Sequence, residues 1–147
     1  MVCLGNICRS PIAHGILQKE IAEQGLDWTV DSAGTSAYHS GEAPDRRAIM
    51  VSEKNGLDIS GQTSRQLTAQ DIIDYDIIVT MDTNNYNNTL KIAGNDSHKS
   101  KIKMLLNYSY PNENRAVPDP YYSGGFDYVY DLIRQAVHDM AAQLTKG

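Results

Sequence analysis

Cys3-Leu4-Gly5-Asn6-Ile7-Cys8-Arg9-Ser10 is followed at once by Pro11 and by apolar residues at Ile12, Ile16, Leu17 and Ile21. That spacing is helical, and Gly25 is the residue type that stops a helix. Ser10 is suited to cap the helix and Pro11 to open it, because the first helical N–H has no partner within the helix anyway. Met1 and Val2 read as the end of a strand. Strand, tight loop and helix in that order collect unpaired N–H groups and the positive end of a helix dipole at the carboxyl end of a strand. An anion is the natural occupant. Gly5 and Asn6 can both take a positive φ, which curls successive N–H groups inward, and the planar fork of Arg9 matches two phosphate oxygens.

Working outward, apolar strand-like runs alternate with helical periods. "WTVDSAG" from Trp28 reads as a strand running into a turn, and "DRRAIMVSEKNG" from Asp45 as a helix stopped by Gly56. "TAQD" at Thr68 has the form of a capping box, and "YDIIVTM" from Tyr75 is a buried-strand run. A helix from Asp82 to about Ala93 closes at Gly94, and "KIKMLLN" from Lys101 reads as another strand. Val129, Ile133, Val137, Met140 and Leu144 form the stripe of a long closing helix. The order βαβαβαβα predicts a single-domain α/β protein, an open, mostly parallel four-stranded sheet with helices on both faces. The phosphate-binding loop then lies between the first strand and the first helix, where open parallel sheets bind ligands.

The chain of 147 residues carries a formal net charge of −5, which argues against holding nucleic acid or an anionic membrane through overall charge. Any anion must be held locally. No apolar stretch reaches the roughly 20 residues that cross a bilayer, and no signal-peptide pattern opens the chain. Two cysteines so close together cannot staple a secreted fold, so a reducing, cytoplasmic location is expected.

Cys3 lies at the mouth of the cradle, and a thiolate facing a bound phosphate is a nucleophile in position. Cys3, five intervening residues, then Arg9 and Ser10, with "LGNIC" between, resembles the phosphate-binding loop of low-molecular-weight protein tyrosine phosphatases. "VDSAGTSAY" from Val30, "SRQL" from Ser64, "MDTNN" from Met81 and "DPYY" from Asp119 follow in the family's order. The likeness thus covers nearly the whole chain, which is expected to form one phosphatase domain over residues 1–147.

The resemblance implies that Cys3 attacks phosphorus while Asp119, stiffened between Pro118 and Pro120, protonates the leaving tyrosine oxygen and later activates water. Arg9 and the loop residues Leu4, Gly5, Asn6, Ile7 and Cys8 would hold the phosphoryl oxygens. It also implies that Ser10 donates a hydrogen bond to the thiolate and that Asn6, tied to Ser32, keeps the loop in shape. Tyr121 and Tyr122 would wall a slot for an aromatic ring, with Tyr38 opposite. No metal and no cofactor are called for. The expected partners are phosphotyrosine proteins, with phosphate or other oxyanions in the loop, and the expected state is a monomer or at most a weak dimer. Cys8 is expected to act in redox regulation, trapping oxidised Cys3 as a disulfide.

Some features depart from the family pattern or test its neighbours. Only Met1 and Val2 precede the nucleophile, so the first strand is expected to be cut short at the N-terminus. Gln62 stands where many relatives have a supporting histidine, and His14, His39, His98 and His138 show no ligand spacing and read as surface or capping residues. Arsenate reductases share the loop but use a further cysteine pair, which this chain lacks. Protein-arginine phosphatases tend to have threonine where Ile7 stands. A phosphotyrosine reader without catalysis would lack Cys3 or Asp119, and both are present.

Overall fold

A computed structural model describes residues 1–146. β1 (Val2–Cys3), β2 (Ala33–Gly34), β3 (Ile78–Thr80) and β4 (Ile102–Met104) form one parallel sheet in the order β2-β1-β3-β4. Val2 pairs with Ala33 on one side and Thr80 on the other, while Ile78 pairs with Ile102. The chain runs outward from β1 to β2 and then crosses back to β3 on β1's other side. That reversal opens a crevice at the carboxyl ends of β1 and β3, the place such sheets offer to ligands.

Alternation along the strands divides the core. Val2, Ile78 and Ile102 join Ala33, Leu67 and Ile72 in one apolar layer, against which Tyr86 and Leu90 pack. Cys3 and Val79 point the other way, into a larger layer with Ile12, Ile16, Val51, Ile133, Val137 and Met140. α3 (Ala69–Asp74) and α4 (Thr83–Ile92) therefore cover one face, and α1 (Arg9–Gln24), α2 (Arg46–Lys54) and α7 (Phe126–Thr145) the other. Each fully buried isoleucine or valine in these layers contributes about 1.5–3 kcal/mol. The α/β expectation with helices on both faces holds.

Local signals worked where a side chain meets the backbone beside it. Thr68 and Asp71 form the capping box, Asp82 caps α4, and Gly25 ends α1 in the left-handed conformation. Other expectations need correction. α1 starts at Arg9 with Cys8 at the cap, so Ser10 and Pro11 lie inside the first turn. Ser10 caps nothing because its hydroxyl is used elsewhere. α4 ends at Ile92, and the extended backbone of its cap, Ala93, breaks the helix before Gly94. The run from Trp28 pairs only at Ala33 and Gly34, since β1 offers two residues to pair with. The run from Lys101 leaves β4 after Met104 for a 3-10 turn, Leu105–Tyr108, which turns both leucines into the core. Leu144, expected on the buried stripe of α7, is exposed near its end. Two four-residue helices, α5 (Asp96–Lys99) and α6 (Pro120–Ser123), are too short for periodicity to reveal.

Candidate active site

The loop from Leu4 to Cys8 has no regular structure, yet its carbonyls are fixed from outside. Those of Cys3 and Leu4 accept from the N–H groups of Thr35 and Ser36, at 2.9 Å each. Ser64 Oγ donates to Gly5 O at 3.0 Å, and Asp45 N donates to Ile7 O at 2.7 Å. With the carbonyls drawn outward, the N–H groups turn inward. Among the described residues none of the N–H groups of Gly5, Asn6, Ile7 and Cys8 has an acceptor. Four unpaired donors at the head of α1 make an anion site.

Asn6 alone in the loop takes a positive φ, of 57°; Gly5 does not, contrary to the expectation from sequence. Space is tight at Gly5: a Cβ there would lie 3.0 Å from His39 Cδ2, so the His39 ring would have to shift. Gly34 matters more. A Cβ on it would lie 2.7 Å from Leu4 O and 3.0 Å from Asn6 N, both backbone atoms that cannot swing away.

Behind the loop, buried side chains form a chain of hydrogen bonds. Asn6 Nδ2 donates to Ser10 Oγ at 2.8 Å and to Ser32 Oγ at 3.1 Å, while Asn6 Oδ1 accepts from Arg65 N. Ser10 Oγ lies 3.1 Å from Cys3 Sγ. Having accepted from Asn6, the Ser10 hydroxyl can direct its own proton at the sulfur. Ser32 Oγ lies 3.0 Å from His14 Nδ1, which extends the chain to the histidine. Burial, aided by the N-terminal ammonium, pushes the His14 pKa down, which favours the neutral imidazole. Spacing alone puts all four histidines at the surface or at caps; His14 instead ends this supporting chain. Gln62 donates to Pro11 O at 3.0 Å and leaves its Oε1 buried without a partner.

Arg9 is almost fully buried. Its NH1 donates to Asp82 Oδ2 at 2.7 Å and to Val117 O at 2.9 Å, and among the described residues Nε and NH2 make no hydrogen bond. NH2 lies 3.5 Å from Asp119 Oδ2. Asp82, in the "MDTNN" run, is a site residue that sequence reasoning misses, since nothing local links positions 9 and 82. Asp119 caps α6 by accepting from Tyr121 N at 3.1 Å.

A cavity of about 470 Å³ opens over the loop. Cys3, Leu4, Gly5, Ile7, Cys8, Arg9, Asp119, Tyr38, Tyr121 and Tyr122 line it as expected, joined by Ser36 and His39. Asn6, Ser10 and Ser32 stand behind the loop. Tyr38, His39, Tyr121 and Tyr122 form a continuous aromatic wall, with successive ring centroids 4.7, 6.0 and 5.0 Å apart. His39 is held by Glu42, 2.9 Å from its Nδ1, so this histidine too belongs to the site. Burial, with Asp45 nearby, raises the Cys8 pKa far above that of an ordinary thiol, and Cys8 stays protonated.

The solved structure of YfkJ from Bacillus subtilis superposes with a TM-score of 0.92 at 37% identity, covering 99% of this chain and 92% of that one. A human low molecular weight phosphotyrosine protein phosphatase is 37% identical over 99% of this chain and 92% of its own length. A Drosophila arginine phosphatase of known structure matches with a TM-score of 0.89 at 32% identity, over 97% of this chain and 94% of its own. The family model described as low molecular weight phosphotyrosine protein phosphatase matches residues 1–147. On sequence and fold alike, this chain belongs to that family.

Proposed function

We propose that this protein hydrolyses protein phosphotyrosine, as one domain, with Cys3 as nucleophile, Arg9 as phosphate clamp and Asp119 as general acid and base. The observation that carries the reading is that Cys3 and Asp119 line one cavity with the buried Arg9 and with Gly5, Ile7 and Cys8, whose N–H groups have no acceptor among the described residues. Cys3 Sγ attacks phosphorus, the P–O bond to the tyrosine breaks, and the Asp119 proton passes to the leaving oxygen. Water then attacks the cysteinyl phosphate, gives a proton to Asp119, and releases phosphate with the thiolate restored. The loop amides and Arg9 stabilise the equatorial oxygens in both steps. Nucleophile, acid and anion site all come from the chain, so no metal or cofactor is invoked.

The resemblance to an arginine phosphatase supports a second substrate, phosphoarginine. The aromatic wall and the apolar Ile7 favour an aryl leaving group instead. A panel of phosphotyrosine, phosphoserine and phosphoarginine peptides assayed in chelator decides. We expect phosphotyrosine to be turned over fastest, and preference for phosphoarginine would overturn the assignment. The thiols and the net charge of −5 fit a cytoplasmic protein, monomer or at most weak dimer, acting on proteins, with neither nucleic acid nor membrane as partner.

Cys8 lines the same cavity as Cys3, which supports a protective role. Peroxide converts the Cys3 thiolate to a sulfenic acid; the Cys8 thiol then displaces water from it to give a disulfide, which a dithiol reduces. After peroxide and then dithiol, the parent protein should recover most activity and Cys8→Ala much less. Equal recovery would leave Cys8 as a packing residue.

A further inference from the structure

Val117, the buried Pro120 and the Arg9–Asp119 pair anchor the acid-bearing turn at its start, but its far end is poorly tied. α6 is four residues long, and Gly124 and Gly125, both with φ of 75°, connect it to α7. Its other backbone hydrogen bonds are internal, from Tyr121 N to Asp119 Oδ1 and from Gly124 N to Pro120 O. Among the described residues, one hydrogen bond reaches the backbone of 120–124 from another element. Arg47 NH2 donates to Tyr121 O at 3.2 Å.

Arg47 is itself held in place. Its Nε and NH2 grip Asp45 Oδ1 and Oδ2 at 3.1 and 3.0 Å, a two-point pairing that fixes the plane of the fork. That pairing keeps the Asp45 carboxyl pKa below the usual carboxylate range. The guanidinium also lies 5.7 Å from the Tyr121 ring centroid and 4.8 Å from that of Phe126, one ring on each side of the glycine pair. Asp45 in turn donates its N–H to Ile7 O, in the phosphate loop. A continuous path therefore runs from the anion cradle through Asp45 and Arg47 to the turn that carries Asp119.

We propose that Arg47 is a positioning residue for the general acid, a strap that fixes the Asp119 turn over the phosphate loop. The proposal rests on the reading of Asp119 as the acid. A turn hung between prolines and two glycines has many accessible placements, and proton transfer tolerates little misplacement: about 1 Å costs on the order of 10²-fold. Arg47 need not touch substrate to set the rate. Its influence should appear only where leaving-group protonation matters.

The test compares Arg47→Ala, Arg47→Lys, Asp119→Ala and the Arg47→Ala/Asp119→Ala pair, using kcat/KM on aryl phosphates of graded leaving-group basicity. kcat/KM covers the steps through departure of the leaving group. Arg47→Ala should lose roughly tenfold with phenyl phosphate and less than about twofold with an activated nitrophenyl ester. Arg47→Lys keeps the charge but loses the fork and the stacking, so it should follow Ala. Added to Asp119→Ala, Arg47→Ala should have little further effect, since there is no acid left to position. Equal loss on all esters, a lysine variant matching the parent, or fully multiplicative losses in the pair would each overturn the strap. If Asp119→Ala shows no leaving-group dependence, the acid assignment itself fails. If Asp119→Ala shows it and Arg47→Ala does not, the strap alone is wrong. Thermal unfolding of each variant separates misfolding from mispositioning.

Discussion

Cys3→Ser should reduce kcat/KM for phosphotyrosine peptides by at least about 10⁴-fold while inorganic phosphate still binds. A serine hydroxyl is a poor nucleophile unless a base removes its proton. Asp82 is held by Arg9 at 2.7 Å, and Asp119 enters the first step carrying the proton for the leaving oxygen, so it cannot also take one from the serine. Ser10 offers a hydrogen bond to position 3 and cannot accept a proton there. The anion site survives, because its donors are backbone N–H groups and Arg9. Turnover assays paired with calorimetric titration of phosphate check both halves. Activity within tenfold of the parent protein would remove Cys3 from the role of nucleophile. Loss of phosphate binding together with activity would mean that the substitution deformed the cradle.

Asp119→Ala should lower kcat/KM by about 10²–10³-fold for phosphotyrosine or phenyl phosphate, and much less for a nitrophenyl ester. A basic phenolate cannot leave without a proton, whereas a nitrophenolate leaves nearly unaided. Asp119 has three partners to lose: Arg9, the Tyr121 N–H, and the proton it would deliver. Asp119→Asn separates them, since it keeps a capping oxygen for Tyr121 N but has no acidic proton. Asn and Ala variants with equally steep leaving-group dependence would identify proton delivery as the lost contribution. Uniform losses across esters would reduce Asp119 to a shaping residue for α6.

The fold is legible where chemistry is local. A cysteine, a positive-φ residue, an arginine and a proline within nine positions place a loop at a strand–helix junction, and 3.6-residue stripes identify α1 and α7. Ser10 misleads because a serine before a proline looks like a cap, while here its hydroxyl serves the Cys3 sulfur. The site residues that sequence does not reveal share one cause. Asp82 and Arg47 meet the site only through tertiary proximity, across separations no window spans, while His14 and His39 sit near predicted site residues but join the site through Ser32 and Tyr121. Gly34 sits in plain view in "VDSAG", but its role depends on a backbone 30 positions away. Gln62 donates to Pro11 O at the start of α1, and the histidine that joins the supporting chain, His14, also lies on α1.

Free peptide with the sequence of residues 3–10 would point its amides in every direction. Fixing each backbone residue costs about 1–2 kcal/mol of conformational entropy. In the folded protein that ordering is complete before any ligand arrives, because Thr35, Ser36, Asp45 and Ser64 hold the loop carbonyls. An incoming phosphoryl group therefore meets dipoles already aligned and spends none of its binding free energy on arranging them. The cradle is a property of the assembled domain, with no counterpart in a partly folded chain.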